Sequence, residues 1–194
     1  MCIRDRASGQ WLSSRHISAV HTLLKKQYPA QNGLQNTLLL SSNHRWTSNS
    51  TDFIQIIHCS QNYWVCVSNL LTPPGVVEVY DSLPATDSNT LTRQIAAIVQ
   101  SSSPKFTVRW INVQYQSGGD DCALFAIAFA EALCAGKDPH VLSFDLSQMR
   151  HHLQLCLEQG AISSFPETAK PNRVYRTRMK MSRNVYVYCK CRLP

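Results

Sequence analysis

No run of about 20 apolar residues occurs in this 194-residue chain, which excludes an ordinary membrane-spanning helix. The longest apolar stretch, CALFAIAFAEALCAG, is broken by Glu131. A secretory leader is missing too, and the eight cysteines form no recognisable framework, so a disulfide-stapled extracellular fold is not expected. These absences point to a reducing, intracellular setting, nuclear or cytoplasmic, with no membrane partner. No internal repeat is present, which removes solenoids and propellers.

Acidic residues are also scarce, 12 against 19 Lys and Arg, for a net charge of +7. Such a balance invites a nucleic-acid partner, but its distribution confines that reading to one end. Residues 166–194 hold eight basic side chains and one acidic one, whereas residues 7–165 hold nine and ten. The body is nearly neutral. The tail reads as a basic linker that could contact nucleic acid.

What is present suffices for one well-buried domain, with 44% hydrophobic residues over 194 positions. The opening MCIRDR resembles a sequencing-adapter remnant read in frame, and residues 1–6 are set apart from the fold. WLSSRHISAVHTLLKKQYP places apolar residues at 17, 20, 23 and 24, the spacing of an amphipathic helix, with Ser13 or Ser14 as N-cap and His16 and His21 as ordinary helix residues. FIQIIH (53–58) and YWVCVSNL (63–70) read as a β-hairpin around a four-residue loop, Cys59 to Asn62. A strand over 76–81, a helix around LTRQIAAIVQ, a strand over 106–114, a helix from Cys122 to Ala135 and a last helix from Leu146 to Gln159 follow. The order predicts an α+β fold.

The chemistry-bearing stretch is QSGGDDC, residues 116–122, directly before the apolar helix. A cysteine there has two readings: a buried thiol opening a core helix, or a nucleophile at the positive end of a helix dipole. A cysteine peptidase needs a thiolate, a base, a group that orients the base, and donors for the oxyanion. Cys122 opens the helix with a free backbone N–H, Gln116 on the turn carries an amide that could be a second donor, and Asp81 ends a strand where an orienting carboxylate would sit.

WLSSRHI, the strand ending in VYDSL, and Gln116 followed six residues later by Cys122 within Asp-Cys together resemble the ubiquitin-like-protein proteases, the Ulp and SENP cysteine peptidases. LSFDLSQMRHHLQLCLEQGAISSFP is similar to the end of their invertebrate, transposon-associated branch. The resemblance implies a papain-like/adenain-like fold, a mixed β-sheet packed against the helix carrying the cysteine. It also implies hydrolysis at the C-terminal Gly-Gly of a ubiquitin-like modifier, with that modifier or its conjugates as partner and no cofactor. Cys122 would be nucleophile, Gln116 an oxyanion donor, Asp81 the orienter, and Trp64, Gly118 and Gly119 substrate contacts.

One position departs from this pattern. The general base of these enzymes is the histidine of a His-Trp pair, and here the pair is Tyr63-Trp64. A phenol, with a pKa of about 10 in water, is protonated at neutral pH and forms no ion pair with a thiolate. The slot therefore predicts weak or lost activity, with a binding-only pseudo-protease as the alternative. As closing pair of a four-residue loop, His58 and Tyr63 would lie side by side, making His58 a tentative substitute base. His140, His151 and His152, downstream of the cysteine, read as loop and helix-surface residues.

The chain ends in VYVYCKCRLP, whose Cys189 and Cys191 resemble the first ligand pair of a PHD finger; two cysteines close no zinc site. The expected organisation is the peptidase domain over 7–166, a basic linker over 167–188 and the start of a PHD finger over 189–194.

Overall fold

A computed structural model of the chain describes residues 11–37, 52–59, 63–83, 89–99, 105–168 and 184–188. Its elements run α1 (Ser14–Gln27), β1 (Asn32–Gly33), β2 (Phe53–Cys59), β3 (Tyr63–Ser68), β4 (Val76–Tyr80), α2 (Asn89–Ile98), β5 (Lys105–Ile111), α3 (Cys122–Cys134), a 3-10 turn (Pro139–Val141), α4 (Leu146–Gln159) and β6 (Asn184–Tyr188). The predicted α+β class is what the chain adopts.

The strands form one mixed sheet in the order β1-β2-β3-β4-β5-β6. β2, β3 and β4 are antiparallel neighbours, β4 and β5 run parallel with α2 connecting them, and β6 pairs antiparallel with β5. Residues 184–188, inside the expected linker, thus form an edge strand. Cys189 and Cys191 lie outside the described residues. At the opposite edge Gly33 is indispensable: its φ is +87°, and a Cβ there would sit 2.1 Å from the Ile54 carbonyl oxygen.

Alternation along the strands divides the interior in two. Ile54, Ile56, Trp64, Cys66 and Tyr80 face α3, with α1 and α4 completing that layer through Ile17, Val20, Leu24, Met149 and Leu153. Phe53, Ile57, Val65, Val67, Val77, Val79 and Trp110 face the other way, onto Leu91, Ile95 and Ile98 of α2. Every residue of α3 from Cys122 to Leu133 is buried, as its apolar circumference demands. α1 starts at Ser13, whose N–H donates to His16 Nδ1 at 3.1 Å, so the histidine takes the place of the usual capping-box glutamate. His21 is buried, and its Nδ1 donates to the Gln35 carbonyl at 3.0 Å.

The hairpin differs from the sequence expectation by one residue. Cys59 pairs with Tyr63 and His58 with Trp64, so Cys59 belongs to β2 rather than to the connection. Because side chains alternate with period two, this shift moves His58 to the opposite face from Tyr63.

Candidate active site

The C-terminal end of β4, the start of β3 and the start of α3 meet at one end of the sheet. Cys122 is the first residue of α3 and is 1% exposed. Burial raises its proton affinity; opposing that, the backbone N–H groups of Trp64, Ala123 and Cys122 itself favour the thiolate, while Asp81 disfavours it. Burial prevails, so the thiol stays above its ordinary range. Cys122 is thus packed in the core, with its sulfur directed at backbone N–H groups.

Asp81 directly follows β4 and is buried. Its Oδ1 accepts the Leu83 N–H at 2.9 Å. Desolvation pushes its carboxyl up to about 6, against the weaker opposite pull of that hydrogen bond.

Gln116 is fixed at both ends of its amide. Its Oε1 accepts from the Ser82 hydroxyl at 2.7 Å and its Nε2 donates to the Gly118 carbonyl at 2.5 Å. The Gln116 N–H also donates to the Ser82 carbonyl at 2.9 Å. The second Nε2 hydrogen has no partner among the described residues. Gly118 and Gly119 have open space where a Cβ would point, so neither is glycine for internal packing. Asp121, at the N-cap of α3, is held by Arg150 of α4.

Tyr63 packs against both core clusters, and its hydroxyl is buried with no hydrogen-bond partner among the described residues. Opposite it stands Cys59, whose thiol is pushed up to about 12 by burial first and then by the nearby charges of Asp81 and Cys122. His58 does not lie beside the Tyr63 slot as a four-residue loop would require. Its ring rests on the Trp64 indole instead, 4.5 Å between centroids, on the α3 side of the sheet. Trp64 is 3% exposed, with its indole in the core, and its backbone N–H is directed at the Cys122 sulfur. His140 Nδ1 donates to the Asn112 carbonyl and His152 Nε2 to that of Ser163, while His151 is exposed on α4.

Sequence reasoning missed Ser82, Cys59 and Arg150. Ser82 had a usable signal, as the hydroxyl residue next to Asp81. Cys59 was hidden by the one-residue loop error, and nothing in the local pattern marks Arg150.

No protein-family model matches the sequence, and no curated protein does. Solved structures do resemble the fold. SUMO protease Ulp1 with its catalytic cysteine oxidised to a sulfonic acid aligns at TM-score 0.62 and 15% identity, over 79% of this chain and 80% of that one. The C-terminal Ulp1 protease domain in complex with Smt3, the yeast orthologue of SUMO, aligns at 0.60 and 16%, over 79% of each. The Xanthomonas campestris effector XopD bound to ubiquitin aligns at 0.52 and 13%, over 80% of this chain and all of the other. The chain has the fold of the Ulp-type ubiquitin-like-protein protease domains.

Proposed function

We propose that this domain is a cysteine peptidase acting at the C-terminal Gly-Gly of a ubiquitin-like modifier, with turnover limited by Tyr63. The observation that carries the reading is the convergence of Cys122, Asp81 and the clamped Gln116 amide at one end of the sheet. Two of the similar folds are bound to Smt3 and to ubiquitin, which supports a modifier of that class as partner.

In this reaction the Cys122 sulfur attacks the glycine carbonyl carbon. The Cys122 N–H and Gln116 Nε2 receive the oxyanion, the amine leaves with a proton, and water cleaves the thioester. The thiol proton must depart before or during attack, and at the base slot stands a phenol. Losing general-base help typically costs roughly 10²- to 10⁴-fold in rate.

A second reading is a pseudo-protease that binds the modifier and does not turn it over. The Cys122 thiol, held protonated by burial, and the unpartnered Tyr63 hydroxyl favour it.

Replacing Tyr63 by His separates the two. On a modifier C-terminal fusion, Tyr63→His should raise cleavage by roughly 10² or more, and adding Asp81→Asn should remove most of that gain by depriving the imidazole of its orienting carboxylate. A folded Tyr63→His protein as inactive as Cys122→Ala, on SUMO-type and ubiquitin fusions alike, would sink the peptidase reading; retained modifier binding would then favour the pseudo-protease.

A further inference from the structure

The three helices and turns whose caps can be compared treat their aspartates differently. Asp145, the N-cap of α4, accepts the Ser147 N–H at 3.1 Å, and Asp138, before the 3-10 turn, accepts the His140 N–H at 2.9 Å. This is the ordinary work of an N-cap carboxylate. Asp121 occupies the same position on α3 and makes no such bond. Its Oδ1 instead accepts twice from Arg150, from Nε at 3.0 Å and from Nη2 at 2.5 Å, and the same Nη2 donates to the Asp120 carbonyl at 3.2 Å.

We propose that Arg150 is a positioning residue for the Cys122 site: it draws the Asp121 carboxylate off the N-terminus of α3, leaving the first helical N–H groups open to the sulfur and to an oxyanion. The inference rests on the reading of Cys122 as nucleophile.

Two physical consequences follow. A carboxylate that capped α3 would occupy the N–H groups of Ala123 or Leu124, the second and third residues of the helix, and so compete with the sulfur for the same donors. It would also bring a negative charge to the thiol, and a like charge within about 4–6 Å disfavours the thiolate. Arg150 counters both effects, holding the carboxylate away and compensating its charge. The two side chains are 21% and 17% exposed, so solvent screens the pair only partly. Because Arg150 belongs to α4, the guanidinium also ties the Gly118–Asp121 turn to a helix outside the sheet, at both Asp120 and Asp121.

The test follows alkylation of Cys122 by iodoacetamide across pH in the full chain, read from the Cys122 peptide by mass spectrometry. Arg150→Met should move the profile up by about one pH unit and slow labelling at pH 7.5 by roughly tenfold, the effect of one uncompensated nearby carboxylate. Adding Asp121→Ala removes that carboxylate and should bring the rate back to within about twofold of the parent. If Arg150 merely ties α4 to α3, the double variant stays as slow as the single one, and the proposal is overturned; an unchanged profile in Arg150→Met overturns it as well. Should Arg150→Met fail to fold, Asp121→Ala alone decides, because leaving the guanidinium uncompensated should shift the profile down, and a shift upward or none contradicts the proposal. This readout needs no modifier. Failure of Tyr63→His to cleave fusions therefore counts against the peptidase reading, and an unresponsive alkylation profile counts against the role of Arg150.

Discussion

The Ser82 hydroxyl donates to Gln116 Oε1 at 2.7 Å, and the Gln116 N–H returns a bond to the Ser82 carbonyl at 2.9 Å. The residue after Asp81 thus sets the Gln116 amide, the proposed oxyanion donor. The Gly118 carbonyl can only accept, so the NH₂ end of Gln116 must face it and the oxygen must face Ser82. Ser82→Ala leaves Oε1 buried without its donor, at a cost of about 1–3 kcal/mol in stability, and frees the amide to flip. In a Tyr63→His background it should lower kcat by roughly tenfold with KM little changed, and Ser82→Thr should retain most of the rate. Steady-state kinetics on a modifier fusion checks this; equal loss in the Ala and Thr variants contradicts it.

Tyr63 carries its hydroxyl into the interior without a partner among the described residues. Removing an unsatisfied buried polar group is neutral or favourable, so Tyr63→Phe should leave stability unchanged or raise it by about 1 kcal/mol. Denaturant titration measures the change. A loss of more than 1 kcal/mol would mean that the hydroxyl has a partner on folding.

The parts of the site that the sequence made legible are those written in local chemistry. Cys122 was readable because a mostly apolar helix preceded by Gly-Gly-Asp-Asp has to start there, and Asp81 because a run of strand residues stops at it. The register of the β2-β3 hairpin was not readable. FIQIIHCSQNYWVCVS permits a loop of three or four residues, and the choice decides whether His58 or Cys59 faces Tyr63. Arg150 was out of reach for another reason: its contact with Asp121 joins residues 29 apart through the packing of two helices, which no periodicity encodes. Likewise β6 joins the sheet from a segment whose basic surroundings read as linker.

Thiol reactivity offers a further check, because burial and acidity rank the cysteines differently. Cys134 is more exposed than Cys122, yet its thiol is pushed up to about 12, as is that of Cys59, and Cys66 lies well above its ordinary value. The amide donors at Cys122 restrain its rise. Since the thiolate is the reactive form, Cys122 should be alkylated before Cys59, Cys66 and Cys134 in the native protein at pH 8. Time-resolved peptide mapping reads the order, and labelling of Cys134 ahead of Cys122 would return Cys122 to the role of a core residue.

The pH dependence of stability contains two opposed contributions. Burial lowers the His21 pKa from 6.5 to about 4, against the weaker opposite effect of its bond to Gln35. Between those values the unfolded chain binds a proton that the folded one refuses. His21 therefore contributes stability that is complete above pH 6.5 and lost as pH falls through 4. Asp81 has the reverse sign. Its pKa rises from 3.8 to about 6, so the folded chain holds the extra proton, and the contribution is complete below pH 3.8 and lost as pH rises through 6. Each shift is on the order of 3 kcal/mol, and over the shared window from pH 4 to 6 they nearly cancel. Single variants should expose each limb. With Asp81→Asn, urea midpoints should fall from pH 6 to pH 4, because the larger of the contributions that oppose His21 is gone and only the lesser upward shift of Glu131 remains against it. With His21→Gln, which keeps a donor for the Gln35 carbonyl, midpoints should instead rise over the same interval. Slopes of the same sign in both variants would show that at least one of these groups is not buried as the fold places it.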